Sequence, residues 1–469
     1  MADIGIEAGE PRANQGFLRA LPLANGVLIA ASLYSAGWCV FSILQHKPFY
    51  LKAGSAAVAL AAALALTLRP TIRMTAMSLL IGAGVGIYAT ELVAMALIDP
   101  DRSLLEAERN DAVQHGRPYD QRSKIDVIMD LRRQGVPAYP PFYPYLTFPD
   151  PLKVNGIPTV PLGSVSNIVT VCCNEGGQWL TYPTDEYGFD NPPGLWKQAP
   201  LDIALVGASW ATGECVAAAD NIATHLRERF PKTVSLGAGG NGPFLELATI
   251  REYLPALRPA RVLWLFAENH TPEGLPKEHQ VPLIRYLDES YRQGLIERQP
   301  GIDRAVRTYL EDATQAELHP KGPAMTATAL ELVTLKRVRS SVFDLGVRVR
   351  APDGNRLDGD LYRQVLRRGQ QIVSGWGGKI SIVYIPDMAR YPGVSGYSDA
   401  YRRACDKTRA SVLEAAASLG ISVIDITPRF PDLPPQQQAQ YDRYFYPYAA
   451  HFRPEGYRVL DRAILDELH

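Results

Sequence analysis

The chain has 469 residues, 46% of them hydrophobic and 21% charged, with a formal net charge of −1 and a pI near 6.7. A single hydrophobic core rarely organises so long a chain, so at least two folding units are expected. Near-neutral charge excludes a broad basic surface for nucleic acid and an acidic tail, which leaves recognition to local features.

Charge is distributed unevenly, and the first hundred residues are dominated by Ala, Leu, Ile, Val and Gly. Leu21–Leu44 carries no charged residue over 24 positions; at ~1.5 Å per residue such a helix exceeds the ~30 Å hydrocarbon core of a bilayer. Ala53–Leu68 is shorter, with 16 uncharged residues between Lys52 and Arg69, which can snorkel to the interfaces. Met74–Ile98 is a third run, interrupted only by Glu91. The expectation is a cytoplasmic N terminus over residues 1–20 and three transmembrane helices over 21–98; the alternative is buried helices of a soluble core. A cleaved signal peptide would explain only the first run. Arg12, Arg19, Arg69 and Arg73 flank one side and Lys47 and Lys52 the other, which places the N terminus inside. Three spans then deliver everything after Ile98 to the opposite face, the periplasm if the membrane is a bacterial inner membrane.

Two features of the third run stand out. Gly82 and Gly86, four apart, form a small-residue face that another helix could approach or that packs against the chain's own other spans. Glu91 either reaches the interface or marks a task for the spans, such as passing an acyl donor across the bilayer together with a membrane partner protein.

Residues 99–200 are rich in Pro and Tyr, and "YPPFYPYLTFPDP" at 139–151 cannot form a continuous helix. This is read as a connecting and covering segment. "TDEYGFDNPPG" at 184–194 reads as a surface turn. Of five cysteines, Cys39 lies in a span, Cys215 and Cys405 fall in helical patterns, and adjacent Cys172 and Cys173 could pair only in a strained ring. The cysteines are therefore read as packing residues, with no metal-ligand spacing around them and no cofactor implied.

From residue 201 the pattern becomes regular. Short apolar runs at Ile203–Val206, Val234–Leu236, Val262–Phe266, Ile380–Ile385 and Val423–Ile426 predict strands. Amphipathic segments at Asn221–Arg229 and Leu245–Leu257 predict helices between them, and such alternation implies a parallel sheet covered on both faces. Residues 271–378 carry mostly helical patterns, including "LIRYLDESYRQGL", and read as an insertion placed to act as a lid.

Four short motifs follow predicted strands or lie near the end of the chain. "VGASWATG" at 206–213 follows the first strand, "GAGGNGP" at 237–243 the second, "AENH" at 267–270 the third, and "HFRPEGY" spans 451–457. Singly, each has a plain explanation, since Ser209 or Asn269 could cap a helix and the glycines could make a turn.

In this order the motifs resemble those of the SGNH hydrolases, over about residues 184–469. The resemblance implies an α/β three-layer, flavodoxin-like fold with Ser209 as nucleophile and His451 as general base. Ser209, Gly240 and Asn269 would then form the oxyanion hole. "DEYGFDNP" at 185–192 resembles a segment that precedes the hydrolase blocks in membrane-linked relatives. The departures are Ala208 where the family has Asp, His270 after the Asn, and Tyr448 where an Asp would orient the histidine. His270 and Tyr448 are thus candidate modulators of the site, and Asp442 or Asp461 could replace the missing acid.

Two functions follow from these residues. One is a membrane-anchored, extracytoplasmic serine esterase or O-acyltransferase, acting on an acylated small molecule or on acetylated carbohydrate of the cell envelope. The other is a catalytically impaired domain that binds glycan or scaffolds a membrane complex, a reading favoured by the missing acid.

Overall fold

A computed structural model describes residues 12–44, 49–97, 106, 109–110, 112–114, 116–319, 332, 335–338, 357–391, 399–430, 441, 443–446 and 451–468. The chain divides into two compact units, residues 1–99 with 323–342, and residues 100–322 with 343–469.

The first unit is built on helices α1 (Arg12–Leu44), α2 (Phe49–Ala65) and α3 (Pro70–Leu97). Two of them contain segments long and apolar enough to cross a membrane, Ala20–Val40 and Pro70–Met95. The apolar stretch of the helix between them, Lys52–Ala65, is shorter, because the chain leaves the helix at Ala65 before the predicted run ends at Leu68. The expected third full-length span is therefore not present as such. Large apolar side chains on all three helices, among them Leu33, Leu60, Leu79 and Val85, are exposed.

Glu91 takes part in the packing of this unit. It is fully buried, and its carboxylate accepts the backbone N–H groups of Arg337 (2.8 Å) and Val338 (2.7 Å), capping a short helical turn of the same unit. Such a cap satisfies donors that a helix start leaves without partners. Cβ positions built on Gly82, Gly84 and Gly86 meet nothing within 4 Å, so these glycines face open space.

The second unit contains a five-stranded sheet: β6 (Ile203–Val206), β7 (Thr233–Ser235), β8 (Arg261–Ala267), β9 (Lys379–Ile385) and β10 (Ser422–Asp425). Its spatial order is β10-β9-β8-β6-β7, and every neighbouring pair is parallel. This doubly wound order reverses direction between β6 and β8, leaving a crevice at the carboxyl ends of those strands. Apolar residues on the two sheet faces feed two separate cores, one containing Val206, Trp264 and Phe266, the other Leu205, Leu263 and Leu265. Burial on both faces explains why these strands read as continuous apolar runs.

The described part of the covering segment, from residue 116 on, is more ordered than its composition implies. It holds α4 (Lys124–Arg133), a three-stranded sheet of β1 (Ala138–Tyr139), β4 (Val169–Val171) and β5 (Thr181–Pro183), and a hairpin of β2 (Leu152–Val154) with β3 (Ile157–Thr159). The expected surface turn at 184–194 is a buried polar hub. Asp185, fully buried, accepts from the N–H groups of Tyr187 and Phe189, from Asn191 Nδ2 and from Trp196 Nε1, at 2.8–3.0 Å. Asn191 in turn donates to the carbonyl of Ser235 and accepts its N–H, both at 2.8 Å. Because β7 is the edge strand, this side chain occupies a pairing position that another strand would otherwise seek.

Between β8 and β9 lie α8 (Thr271–Glu278), α9 (Gln299–Leu318) and α10 (Gly359–Ser374). "LIRYLDESYRQGL" is not a full helix: only Leu283–Leu287 forms a 3₁₀ turn. Further helices are α5 (Ser209–Thr212), α6 (Ile222–Arg229), α7 (Pro243–Leu257), α11 (Asp399–Ala417) and α12 (Pro454–Glu467).

Candidate active site

Ser209 is the first residue of α5, directly beyond the carboxyl end of β6. The short helix closes at Gly213, whose φ of +79° is left-handed and whose added Cβ would lie 2.4 Å from Asn221 Cβ. Only glycine is accommodated there, which accounts for the final letter of Gly-x-Ser-x-x-x-Gly. Trp210 is buried against Phe452 (4.3 Å between ring centroids) and Tyr457 (6.0 Å), and this locks the turn onto the C-terminal segment.

The same packing brings in His451. Its ring lies 5.4 Å from that of Trp210, the residue after Ser209. An isolated β-bridge between Phe445 and Phe452 fixes the backbone there, with Arg453 Nε donating to the Phe445 carbonyl at 2.9 Å. Gly240 lies beyond β7, and Asn269 beyond β8. The four family positions thus converge on the carboxyl end of the sheet, beside the reversal of strand order. Among the described residues no hydrogen bond joins Ser209 Oγ to His451.

His451 has an acid partner that the sequence reading missed. Its Nδ1 lies 2.9 Å from Glu175 Oε1, contributed by the covering segment 276 positions earlier in the chain. A carboxylate at Nδ1 selects the tautomer with the proton on that nitrogen, leaving the Nε2 lone pair free to take a proton. Burial disfavours the imidazolium, but the charge and hydrogen bond of Glu175, with Glu214 nearby, hold the His451 pKa above the ordinary histidine value. Glu214, one residue beyond Gly213, is itself buried, and burial raises its pKa against the opposing effect of His451.

The covering segment is stapled to this place. Cys173 and Cys215 form a disulfide, so these two are not the packing residues expected of them. The reading failed because it weighed only the adjacent pair Cys172–Cys173, whereas the partner is 42 positions away, at φ +68° and outside any helix. Cys172 is a buried free thiol, and Cys405 is buried as well. Cys173, Cys215 and Glu175 are also the one group of metal-ligand type among the described residues. Its two sulfurs are bonded to each other and its carboxylate to His451, so the trio is already engaged.

The other expected acids fall elsewhere. Asp461 pairs with His225 Nδ1 on α6, a contact between helices rather than with His451. Asp442 and Tyr448 lie outside the described residues. His270 donates through Nε2 to the Asn241 carbonyl (2.7 Å), next to Gly240, and burial lowers its pKa. It therefore ties the "AENH" loop to the "GAGGNGP" turn as a neutral ring. Glu268, buried beneath that loop, is held by the Tyr384 hydroxyl, by the Asp387 N–H at 2.8 Å and by Arg390. Gly240 has φ +75°, and a Cβ built there would lie 2.3 Å from the ring of Tyr145, which borders the proposed oxyanion position.

The doubly wound sheet with these blocks at its carboxyl ends decides the architecture. The second unit has an SGNH-hydrolase-like fold. No family model matches the chain, and no curated protein does. Solved structures that are similar to this chain include a GDSL-like lipase from Bacteroides thetaiotaomicron, 11% identical, covering 58% of this chain and 89% of its own, with a TM-score of 0.31. An acetyl xylan esterase is 10% identical over 57% of this chain and all of its own, with a TM-score of 0.33. A lipase/acylhydrolase from Enterococcus faecalis is 13% identical over 57% of this chain and 95% of its own, with a TM-score of 0.29.

Proposed function

We propose that the SGNH-like unit is a serine esterase or O-acyltransferase, and that the chain is membrane-anchored with this unit outside the cytoplasm. The observation that carries the reading is the 2.9 Å contact between Glu175 and His451 Nδ1. The absent acid at position 448 was the main ground for a non-catalytic domain, and Glu175 removes it.

In this mechanism Ser209 Oγ attacks the acyl carbonyl while His451 Nε2 takes its proton, and Glu175 orients the ring and stabilises the imidazolium. The backbone N–H groups of Ser209 and Gly240 and the Asn269 amide stabilise the oxyanion; losing one such donor costs ~10²–10³ in rate. His451 returns the proton to the departing alcohol, and water or a sugar hydroxyl then releases the acyl group from Ser209. Tyr145 beside Gly240 limits the room on the acyl side, which favours a short acyl group such as acetyl. Acetylated carbohydrate of the cell envelope is the proposed substrate.

The disulfide supports the extracytoplasmic placement, since such bonds persist in oxidising compartments. Two long spans alone would return the chain to its starting face. We therefore take α2, 17 residues or about 25 Å long, as a short third crossing.

The test uses full-length protein in detergent micelles, treated with a serine-directed fluorophosphonate beside Ser209→Ala. Labelling of the wild type alone is expected. Equal labelling, or none in either, would sink the nucleophile assignment.

A further inference from the structure

A cavity of about 600 Å³ lies away from Ser209. Its lining includes Arg258, at the end of α7 before β8, and Trp376, between α10 and β9. It therefore sits at the amino ends of the strands, at the opposite edge of the sheet from the candidate active site. Its volume is in the range of small-molecule pockets, roughly 300–1,000 Å³.

Three arginines line it, Arg251, Arg258 and Arg368, against one carboxylate, Glu289. Arg368 is only 7% exposed, yet its guanidinium is poorly satisfied. Its contacts are long, 3.4 Å to Glu289 Oε1, 3.3 Å to Gln371 Oε1 and 3.5 Å to the Asp288 carbonyl. Its Nε is buried with no hydrogen-bond partner. A buried cation normally demands close, complete pairing. Glu289 cannot supply it, because its side chain is 82% exposed. Arg258 is exposed, and among the described residues its guanidinium makes no hydrogen bond or ion pair. Arg251 is held in place by the carbonyls of Tyr291 (3.2 Å) and Glu289 (2.7 Å). Beside these cations Trp376 is anchored through Nε1 to the Pro259 carbonyl at 3.0 Å, and Ile372 adds apolar surface.

We propose that this cavity is a second binding site, for a ligand bearing a phosphate or carboxylate group next to a ring that packs on Trp376. Arg368 pairs with the anion at the floor, Arg251 and Arg258 complete the charge, and the ring displaces water from Trp376 and Ile372. Planar guanidinium groups suit both anions, as fork-like donors to their paired oxygens.

Isothermal titration calorimetry of the full-length protein in neutral detergent tests the site, with inorganic phosphate, digalacturonate and neutral lactose as probes. Saturable binding of phosphate identifies a phosphorylated group, and of digalacturonate an acidic sugar; either supports the site. Arg258→Glu, a change at the exposed rim, should weaken binding at least about tenfold. Arg368→Gln should do the same if it folds. Glu289→Gln should tighten binding several-fold by removing the competing carboxylate, an effect that a purely structural Arg368–Glu289 pair would not produce. Ser209→Ala should bind as the wild type does, so failure of the esterase reading and failure of this one are separable. Absence of saturable binding by both anions, equal binding of lactose, or binding indifferent to both Arg258→Glu and Glu289→Gln overturns the proposal.

Discussion

Glu175 and Asp461 are both carboxylates bonded to a histidine Nδ1, yet among the described residues only Glu175 is bonded to His451. Glu175 reaches the histidine that packs on Trp210, whereas Asp461 joins α12 to α6 through His225. Glu175→Gln should therefore lower kcat/KM for an activated acetyl ester by about 10²–10⁴, because the wrong tautomer is then favoured. Asp461→Asn should lower thermal stability and leave the pH profile of activity in place. The His451 pKa is raised, so its base form is populated only above that raised value, and kcat/KM should rise with pH through it. In Glu175→Gln this limb should move to lower pH, which a pH–rate profile would show; an unmoved limb would argue against His451 as the titrating base. Stability follows the opposite sign. The pair favours the protonated ring, so its contribution is full below the ordinary histidine pKa and is lost as pH rises through the folded value.

The covering segment acts at the scale of elements, through the Cys173–Cys215 bond and the hub at Asp185. The disulfide joins Glu175's loop to the residues just after α5, so breaking it should loosen both halves of the His451–Glu175 arrangement. Cys173→Ser with Cys215→Ser should lose about 2–4 kcal/mol of stability, and activity should fall along with it. Calorimetry and turnover with and without reductant would measure this; activity indifferent to reduction would detach the staple from catalysis. In the first unit, the Glu91 carboxylate accepts the N–H groups of Arg337 and Val338. Glu91→Ala should speed hydrogen exchange at Arg337 and Val338 while leaving ester turnover unchanged, whereas a large loss of turnover would restore a role for the spans in the chemistry.

For the molecule as a whole, the parity of membrane crossings determines which compartment the SGNH-like unit meets. Three crossings separate Arg12 and Arg19 from Ser209; two would place them together. Membrane-impermeant labelling of single introduced cysteines in intact cells, one near each end, should mark only the C-terminal position. Labelling of both or neither would indicate two crossings and require another explanation for the disulfide. A net charge near zero gives no long-range steering at this scale, which leaves ligand capture to the crevice at Ser209 and to the arginine-lined cavity at the other edge of the sheet.

Local rules were enough to read the five strands, the apolar N-terminal helices, and the order of Ser209, Gly240, Asn269 and His451. Buried parallel strands are short apolar runs, and a sheet delivers whatever follows each strand to the same edge. The second crossing was overextended because composition alone does not say where a helix ends. "LIRYLDESYRQGL" misled because helical periodicity does not guarantee a helix where tertiary contacts favour an open turn. What the local pattern could not reveal was pairing across long stretches of chain. "CCNEGG" contained the clue, a carboxylate beside a cysteine, and "GEC" after Ser209 contained its counterpart. Which cysteine bonds to which, and which acid reaches His451, depends on distances between residues far apart in sequence, and only the folding of the covering segment over the sheet sets those distances.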